Sequence, residues 1–323
     1  PIYKDYINIK PIILKLRNEY GDKSKLKLMD NNVLASKHID IIINDLIELG
    51  YKKGDRTGQT PSKSRIVDFN QGLDSSFFNE DIIKKLSILN VRPMRIAFDR
   101  LSEKDQYLKA IKLSEKYGFY DFSNYMLYNF QDTPRDLYER LKINIQINED
   151  AINSNKKIRV YSYPMRYAPI SDPGHDGINK QRDFITPYQT ENINWFENPT
   201  WTRKFIRNIE IMKGVAHGSI STTPELAWRT VGSTFEDFIT NIYMPEELLR
   251  NRNKHEKKVY NYNFHPGTGL IEEFKTFILS LLKNNNDRFV FFHNAVSPNR
   301  TENIRIAIQS TKDKELLKWL KLY

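Results

Sequence analysis

Apolar residues recur along the first half of this chain in two alternating rhythms. Short runs at Lys25–Asp30, Arg65–Asn70, Met94–Asp99, Tyr125–Phe130 and Ile158–Tyr163 carry the density of Leu, Ile, Val, Phe and Tyr expected of strands. Between them lie stretches with the i, i+3, i+4, i+7 spacing of amphipathic helices. Ser36–Leu49 places Ile39, Ile42, Ile43, Leu46 and Leu49 on one face, with Ser36 as N-cap and Gly50 as stop. Further helices are predicted over Ile9–Tyr20, Asn79–Leu89 and Ser102–Tyr117. Another starts at Thr133-Pro134, with proline in its first turn. Strands alternating with helices predict a parallel sheet in an α/β fold. On pattern alone, a barrel and a doubly wound sheet both remain open.

From Ala168 to Glu197 the periodicity stops, and Pro169, Pro173, Gly174, Gly177 and Pro187 mark a long loop. Because it follows the fifth strand, it is expected to cover the strand ends as a lid. Helical patterns resume over Pro199–Gly214 and Pro224–His255. Gly267–Leu282, Arg288–His293 and Lys312–Leu322 read as a small α/β or helical extension. The expected division is 1–167 for a β/α body, 168–197 for the lid, 198–260 for helices completing that domain and 261–323 for the extension.

The strand ends carry the candidate chemistry. Asp30, Asn31 and Asn32 close the first run; Asp68, Asn70 and Gln71 the second; Arg95, Asp99 and Arg100 the third; Asn129 and Asp132 the fourth; Arg166 follows the fifth. Any one of these is ordinary turn chemistry. Five successive ends bearing amide, carboxylate or guanidinium groups predict a polar ligand pocket at the C-terminal side of the strands.

The chain has no cysteine, which removes disulfides and thiolate metal sites. Its six histidines lack ligand-like spacing, so no metal ligand is assigned. The net charge of +10 admits a nucleic-acid partner. The basic residues are dispersed, however, and Lys- and Asn-rich composition alone could produce that charge. No apolar run is long enough to cross a bilayer and no signal peptide opens the chain. The expectation is therefore a soluble, cytoplasmic protein without membrane contact.

Five segments, in order, carry a family resemblance: Leu28–Ser36 (LMDNNVLAS), Val67–Asp74 (VDFNQGLD), Arg92–Asp99 (RPMRIAFD), Tyr125–Pro134 (YMLYNFQDTP) and Tyr163–Tyr167 (YPMRY). Together they resemble the barrel of radical S-adenosylmethionine (radical SAM) enzymes. The resemblance implies a partial (βα)6 TIM-like barrel missing its first strand, with a mostly helical C-terminal extension. In such relatives a CxxxCxxC motif, which holds a [4Fe–4S] cluster, precedes a stretch like Pro1–Tyr6.

The resemblance also implies that Asp30, Asn31 and Asn32 receive the amino group of S-adenosylmethionine, although the usual Gly-Gly-Glu is absent. Asn70, Arg95 and Asp99 would face its ribose and carboxylate, Asp68 and Asn129 would complete the cofactor site, and Tyr163 and Met165 would run along its adenine. Arg166, Arg182 and Trp195 are the candidate substrate contacts. The substrate itself, whether small molecule, peptide or nucleic acid, is not indicated, and neither is a catalytic residue. The expected cofactors of the complete protein are S-adenosylmethionine and the cluster, with neither expected on this cysteine-free chain, which should be catalytically silent. The alternative is a naturally cysteine-free barrel that binds a nucleotide-like ligand, RNA or a partner protein.

Overall fold

The computed structural model describes residues 7–30, 32–169, 184–189, 194–253, 268–284 and 286–323. The chain divides into two compact units. One comprises Pro1–Tyr125 with Asp150–Tyr161, the other Met126–Glu149 with Ser162–Tyr323.

The first unit is α/β. Helix α1 (Ile9–Tyr20) starts at Asn8, whose side chain accepts from the Lys10 amide, and ends at Gly21. Strand β1 (Lys25–Leu28) pairs in parallel with β2 (Ile66–Phe69), Leu26 opposite Val67 and Leu28 opposite Phe69. Between them, α2 (Ile39–Glu48) buries Ile43 and Leu46. It begins three residues after the predicted cap. Ser36 follows a short 3₁₀ turn (Val33–Ala35), and its hydroxyl accepts from the His38 amide instead.

At the far end of α2, Gly50 has φ +79°, and an added Cβ would lie 2.5 Å from a guanidinium nitrogen of Arg65. That nitrogen donates to the carbonyl of Leu49 at 2.9 Å, satisfying a helix-end acceptor. Helix α3 (Glu80–Leu86) is capped by Asn79 and has Glu80 and Asp81 in its first turn, Lys84 and Lys85 in its last, the order the helix dipole favours.

Strand β3 is only Met94–Arg95. It pairs in parallel with β4 (Asp121–Tyr128), Arg95 opposite Ser123, and α4 (Lys104–Lys116) joins them. β4 thus starts four residues before the apolar run that predicts it. Ser123 and Asn124 disguise its beginning, because both are buried through polar partners, Arg95 and the Tyr107 hydroxyl. Strand β5 (Arg159–Arg166) is β4's other neighbour, and Arg159 donates its amide to Tyr120. The α/β class and the parallel pairing stand. The described strands form one two-stranded and one three-stranded sheet rather than a closed barrel.

Beyond the last residues of β4 and β5, the described elements of the second unit are helices. They run α5 (Pro134–Asn153, whose final turn belongs to the first unit), α6 (Arg203–Gly214), α7 (Pro224–Val231), α8 (Phe235–Tyr243), α9 (Glu246–Asn253), α10 (Thr268–Asn284), α11 (Asp287–Val296), α12 (Thr301–Ser310) and α13 (Lys314–Leu320). The extension is accordingly helical. Phe274, Phe277, Phe292 and Trp319 are its buried aromatic centre. No described helix is long and apolar enough to cross a membrane.

The α7–α8 corner depends on one glycine. Gly232 has φ +109°, and an added Cβ would sit 2.6 Å from Asp237 Cβ and 2.8 Å from the Phe238 nitrogen. Asp237 cannot withdraw, since with Thr234 it forms the capping box of α8. Gly232→Ala is therefore expected to cost at least about 2 kcal/mol, through positive-φ strain added to backbone displacement. Urea unfolding of the variant measures this; a midpoint equal to that of the parent would refute it.

Candidate functional site

In the first unit the strand register sorts side chains by polarity. Lys27 lies opposite Asp68, and Arg95 opposite Ser123. Side chains alternate along a strand, so Lys25, Lys27, Ile66 and Asp68 share one face of the first sheet and Arg95, Ser123 and Tyr125 one face of the second, and the Arg95–Asp68 bonds bring the two together. Val67, Met94 and Phe122 lie on the opposite faces and are completely buried.

The polar face is organised around Asp68, which is itself fully buried. Arg95 grips it with two hydrogen bonds, Nε to Oδ1 at 2.7 Å and Nη2 to Oδ2 at 3.1 Å. The same guanidinium donates to Ser123 Oγ at 3.0 Å and lies over the Tyr125 ring. Lys25 Nζ approaches Asp68 at 3.4 Å. Burial opposes charge on Asp68, yet the hydrogen bonds and charge of Arg95, with Lys25 behind them, hold its carboxyl below the usual carboxylate range. With two lysines and one arginine against one carboxylate, the face is cationic.

A second group forms where β1 and β2 leave their sheet. Asp30 Oδ1 accepts from the Asn32 amide at 2.8 Å, and Asn32 Nδ2 reaches Asp74 Oδ2 at 3.5 Å. Asp74 Oδ1 is occupied by the amide and hydroxyl of Ser76. The Asn32 Oδ1 atom is buried and has no donor among the described residues. Asn70 Nδ2 points to the Met29 sulfur at 3.3 Å. After β3, the Asp99 amide donates to Glu103.

The remaining candidates belong to the second unit. Asn129, at φ +62°, is buried and donates to the carbonyls of Tyr167 at 3.1 Å and Phe184 at 3.2 Å, while its Oδ1 accepts from the Thr186 amide. Arg166 Nη2 donates to the Phe184 carbonyl at 2.7 Å. Its Nε is buried without a described acceptor. Thr186 Oγ1 completes the attachment by donating to Phe130. These bonds fasten residues 184–188, a part of the expected lid, to the ends of β4 and β5 within this unit. Tyr163 is half-buried and Met165 exposed. Asn31, Arg182 and most of the expected lid fall outside the described residues.

Trp195 lies on His293 of α11, their ring centroids 3.8 Å apart, and Tyr243 OH meets His293 Nδ1 at 2.8 Å. Burial pushes the imidazole pKa down to about 4. Below about pH 6.5 the unfolded chain therefore takes up a proton that the folded unit refuses, and stability falls as pH drops from 6.5 to 4. His293→Gln should flatten that part of the melting-temperature profile. A profile as steep as the parent's would exclude His293 as its source.

Asp68 and Arg95 are thus brought into direct contact, and Asn32 with Asp74, in the first unit. Asn129 and Arg166 share the Phe184 carbonyl in the second. Lys25, Lys27, Ser123, Tyr125 and Asp74 are not among the residues that the strand-end pattern singles out. The alternation Lys-Leu-Lys-Leu in β1 already places both lysines on one face. Ser123 required the earlier start of β4.

For the implied cofactors, the chemistry of the donors decides. No thiolate occurs in the 323 residues, so they contain no ligand set for a [4Fe–4S] cluster. Among the described residues no three His, Asp or Glu side chains are placed to hold a metal ion. The donors do fit the amino-acid end of S-adenosylmethionine: Asn32 Oδ1 and the Asp30 carboxylate can accept from an ammonium, and a cationic strand face suits a carboxylate. No family model, no curated protein and no solved structure matches this chain.

Proposed function

We propose that this chain is the barrel portion of a radical SAM enzyme, a partial (βα)6 TIM-like barrel whose cluster is held by residues outside this sequence. The observation that carries the reading is the polar strand face in the first unit. It is built on Asp68 and Arg95, with Asn32 Oδ1, which has no donor among the described residues, among the strand-end groups. A sheet face that is merely packed would be apolar.

In this reading Asn32 and Asp30 bind the amino group, Arg95 faces the carboxylate, and Asp68 keeps Arg95 in place. Bound cofactor and cluster would together supply radical chemistry; the protein's share is orientation and exclusion of water. The substrate class remains open among small molecules, peptides and nucleic acids. The alternative, a cysteine-free barrel that binds a nucleotide-like ligand, RNA or a partner protein, shares the five segments and differs in what the codons upstream of Pro1 encode.

Titration calorimetry tests the pocket. Without a cluster to chelate the amino-acid end, the remaining hydrogen bonds must offset the immobilisation of a flexible ligand, so S-adenosylmethionine should bind with Kd weaker than about 10 μM. Asn32→Ala should abolish that weak heat, whereas Asn18→Ala on exposed α1 should leave it intact. Sub-micromolar binding, or a heat indifferent to Asn32, would contradict this assignment.

A further inference from the structure

The opposite end of the first unit, where the strands begin, carries a separate charged surface. Residues 52–65 fold there as a braced hairpin. The Thr57 amide donates to Lys63 O at 2.8 Å and the Lys63 amide to Thr57 Oγ1 at 3.0 Å. Arg56 bonds Ser62 through its carbonyl at 2.6 Å and its hydroxyl at 3.2 Å. The hairpin is joined to the loop before β3, since the Lys53 amide donates to Ile88 O and the Asn90 amide to Tyr51 O. Lys53 Nζ also lies 4.9 Å over the Phe119 ring, tying the hairpin to the turn before β4. That turn meets the start of β5 through the Arg159 amide and Tyr120 O.

The surface so assembled is basic. Lys23, Lys52, Lys53, Arg56, Lys63 and Lys157 are all exposed, and none forms an ion pair with a described residue. The nearby acids are engaged elsewhere: Asp22 with Arg65, Asp121 with Arg92 and Arg159, Glu115 with Lys156. Asp55 accepts from the Lys52 amide. Unneutralised cations held on a braced frame are a phosphate-backbone surface, since little side-chain or loop ordering is left for binding to impose. Beside them Tyr120 leaves 43% of its surface exposed, an aromatic face on which an unpaired base can stack. Gln59 and Thr60, exposed at the hairpin tip, can pair with a ribose 2′-hydroxyl.

We infer that this strand-start surface binds single-stranded RNA, with the hairpin lysines on phosphates and Tyr120 under a base. The inference is independent of the cofactor reading, which concerns the other end of the same strands.

The test uses fluorescence anisotropy of a labelled 20-nucleotide oligouridine with the whole chain, in a salt series from 50 mM. The variant Lys52→Gln/Lys63→Gln/Lys157→Gln changes three exposed side chains whose amines have no ion-pair partner among the described residues. It should weaken binding about tenfold or more and flatten the log–log salt slope by about 2, from roughly 0.7 per lost phosphate contact. Tyr120→Ala should weaken binding at least about fivefold without changing the slope. The control Lys312→Gln/Lys314→Gln/Lys321→Gln removes equal charge from the C-terminal helices and should bind as the parent does. Absence of binding at 50 mM salt would overturn the inference. So would equal losses in the control, which would mean net charge alone. Binding to anionic phosphatidylserine vesicles but not to the oligonucleotide would identify a lipid surface instead.

Discussion

Arg95→Met should be among the most damaging single substitutions in the first unit, costing about 3–5 kcal/mol. The change removes the two hydrogen bonds that Asp68 receives and leaves a fully buried carboxylate facing only Lys25. The pair itself should be worth far less than its disruption. Replacing both partners, as in Asp68→Leu/Arg95→Met, should recover most of the loss, because a well-packed apolar pair avoids the desolvation of two charges. Urea unfolding of the single and double variants reads this directly. A single-variant loss below about 1 kcal/mol would mean that water already reaches Asp68, and the rigid polar face would have to be abandoned.

Arg140→Met should have a comparable effect in the second unit, and one that depends on pH. Arg140 is fully buried, bonding Asp132 Oδ2 at 2.9 Å and the Leu127 carbonyl at 3.0 Å. Asp132 in turn accepts from Trp201 Nε1 at 3.1 Å and the Phe130 amide. Burial pushes the Asp132 carboxyl up to about 6 despite the pull of Arg140. Without the guanidinium it rises further, and the folded unit pays for an unpaired buried charge only where Asp132 is ionised. The loss should therefore be about 3–5 kcal/mol at pH 8 and clearly smaller at pH 5, where the folded state is protonated. A loss that is the same at both pH values would show that Asp132 keeps its charge without Arg140.

The parts of this fold that the sequence exposed are those in which apolar spacing and local chemistry agree. In α3, Asn79 as cap and the acidic first turn mark the start that the apolar spacing predicts, although the predicted helix runs on to Leu89, three residues past its end at Leu86. The second strand was equally plain, because Val67 and Phe69 flank Asp68 with apolar residues. The beginning of β4 was hidden, since Ser123 and Asn124 are buried by virtue of partners distant in sequence, Arg95 and Tyr107. Polarity there reads as loop until the partner is known.

The candidate site divides in the same way. Asp68 and Arg95 were recognisable as strand-end groups, but their grip on each other needs three dimensions. The strand-end pattern makes Asn129 a ligand contact, whereas in the structure its amide bonds Tyr167, Phe184 and Thr186. A buried asparagine with positive φ that fastens a loop is indistinguishable in sequence from one that faces a pocket.

The central claim is that these residues are the barrel body of a radical SAM enzyme. Sequencing the gene upstream of the Pro1 codon tests it most directly. The account predicts an in-frame CxxxCxxC shortly before Pro1, supplying the three thiolates that this chain lacks. An in-frame stop codon, or a start codon with no cysteine motif between it and Pro1, would contradict it.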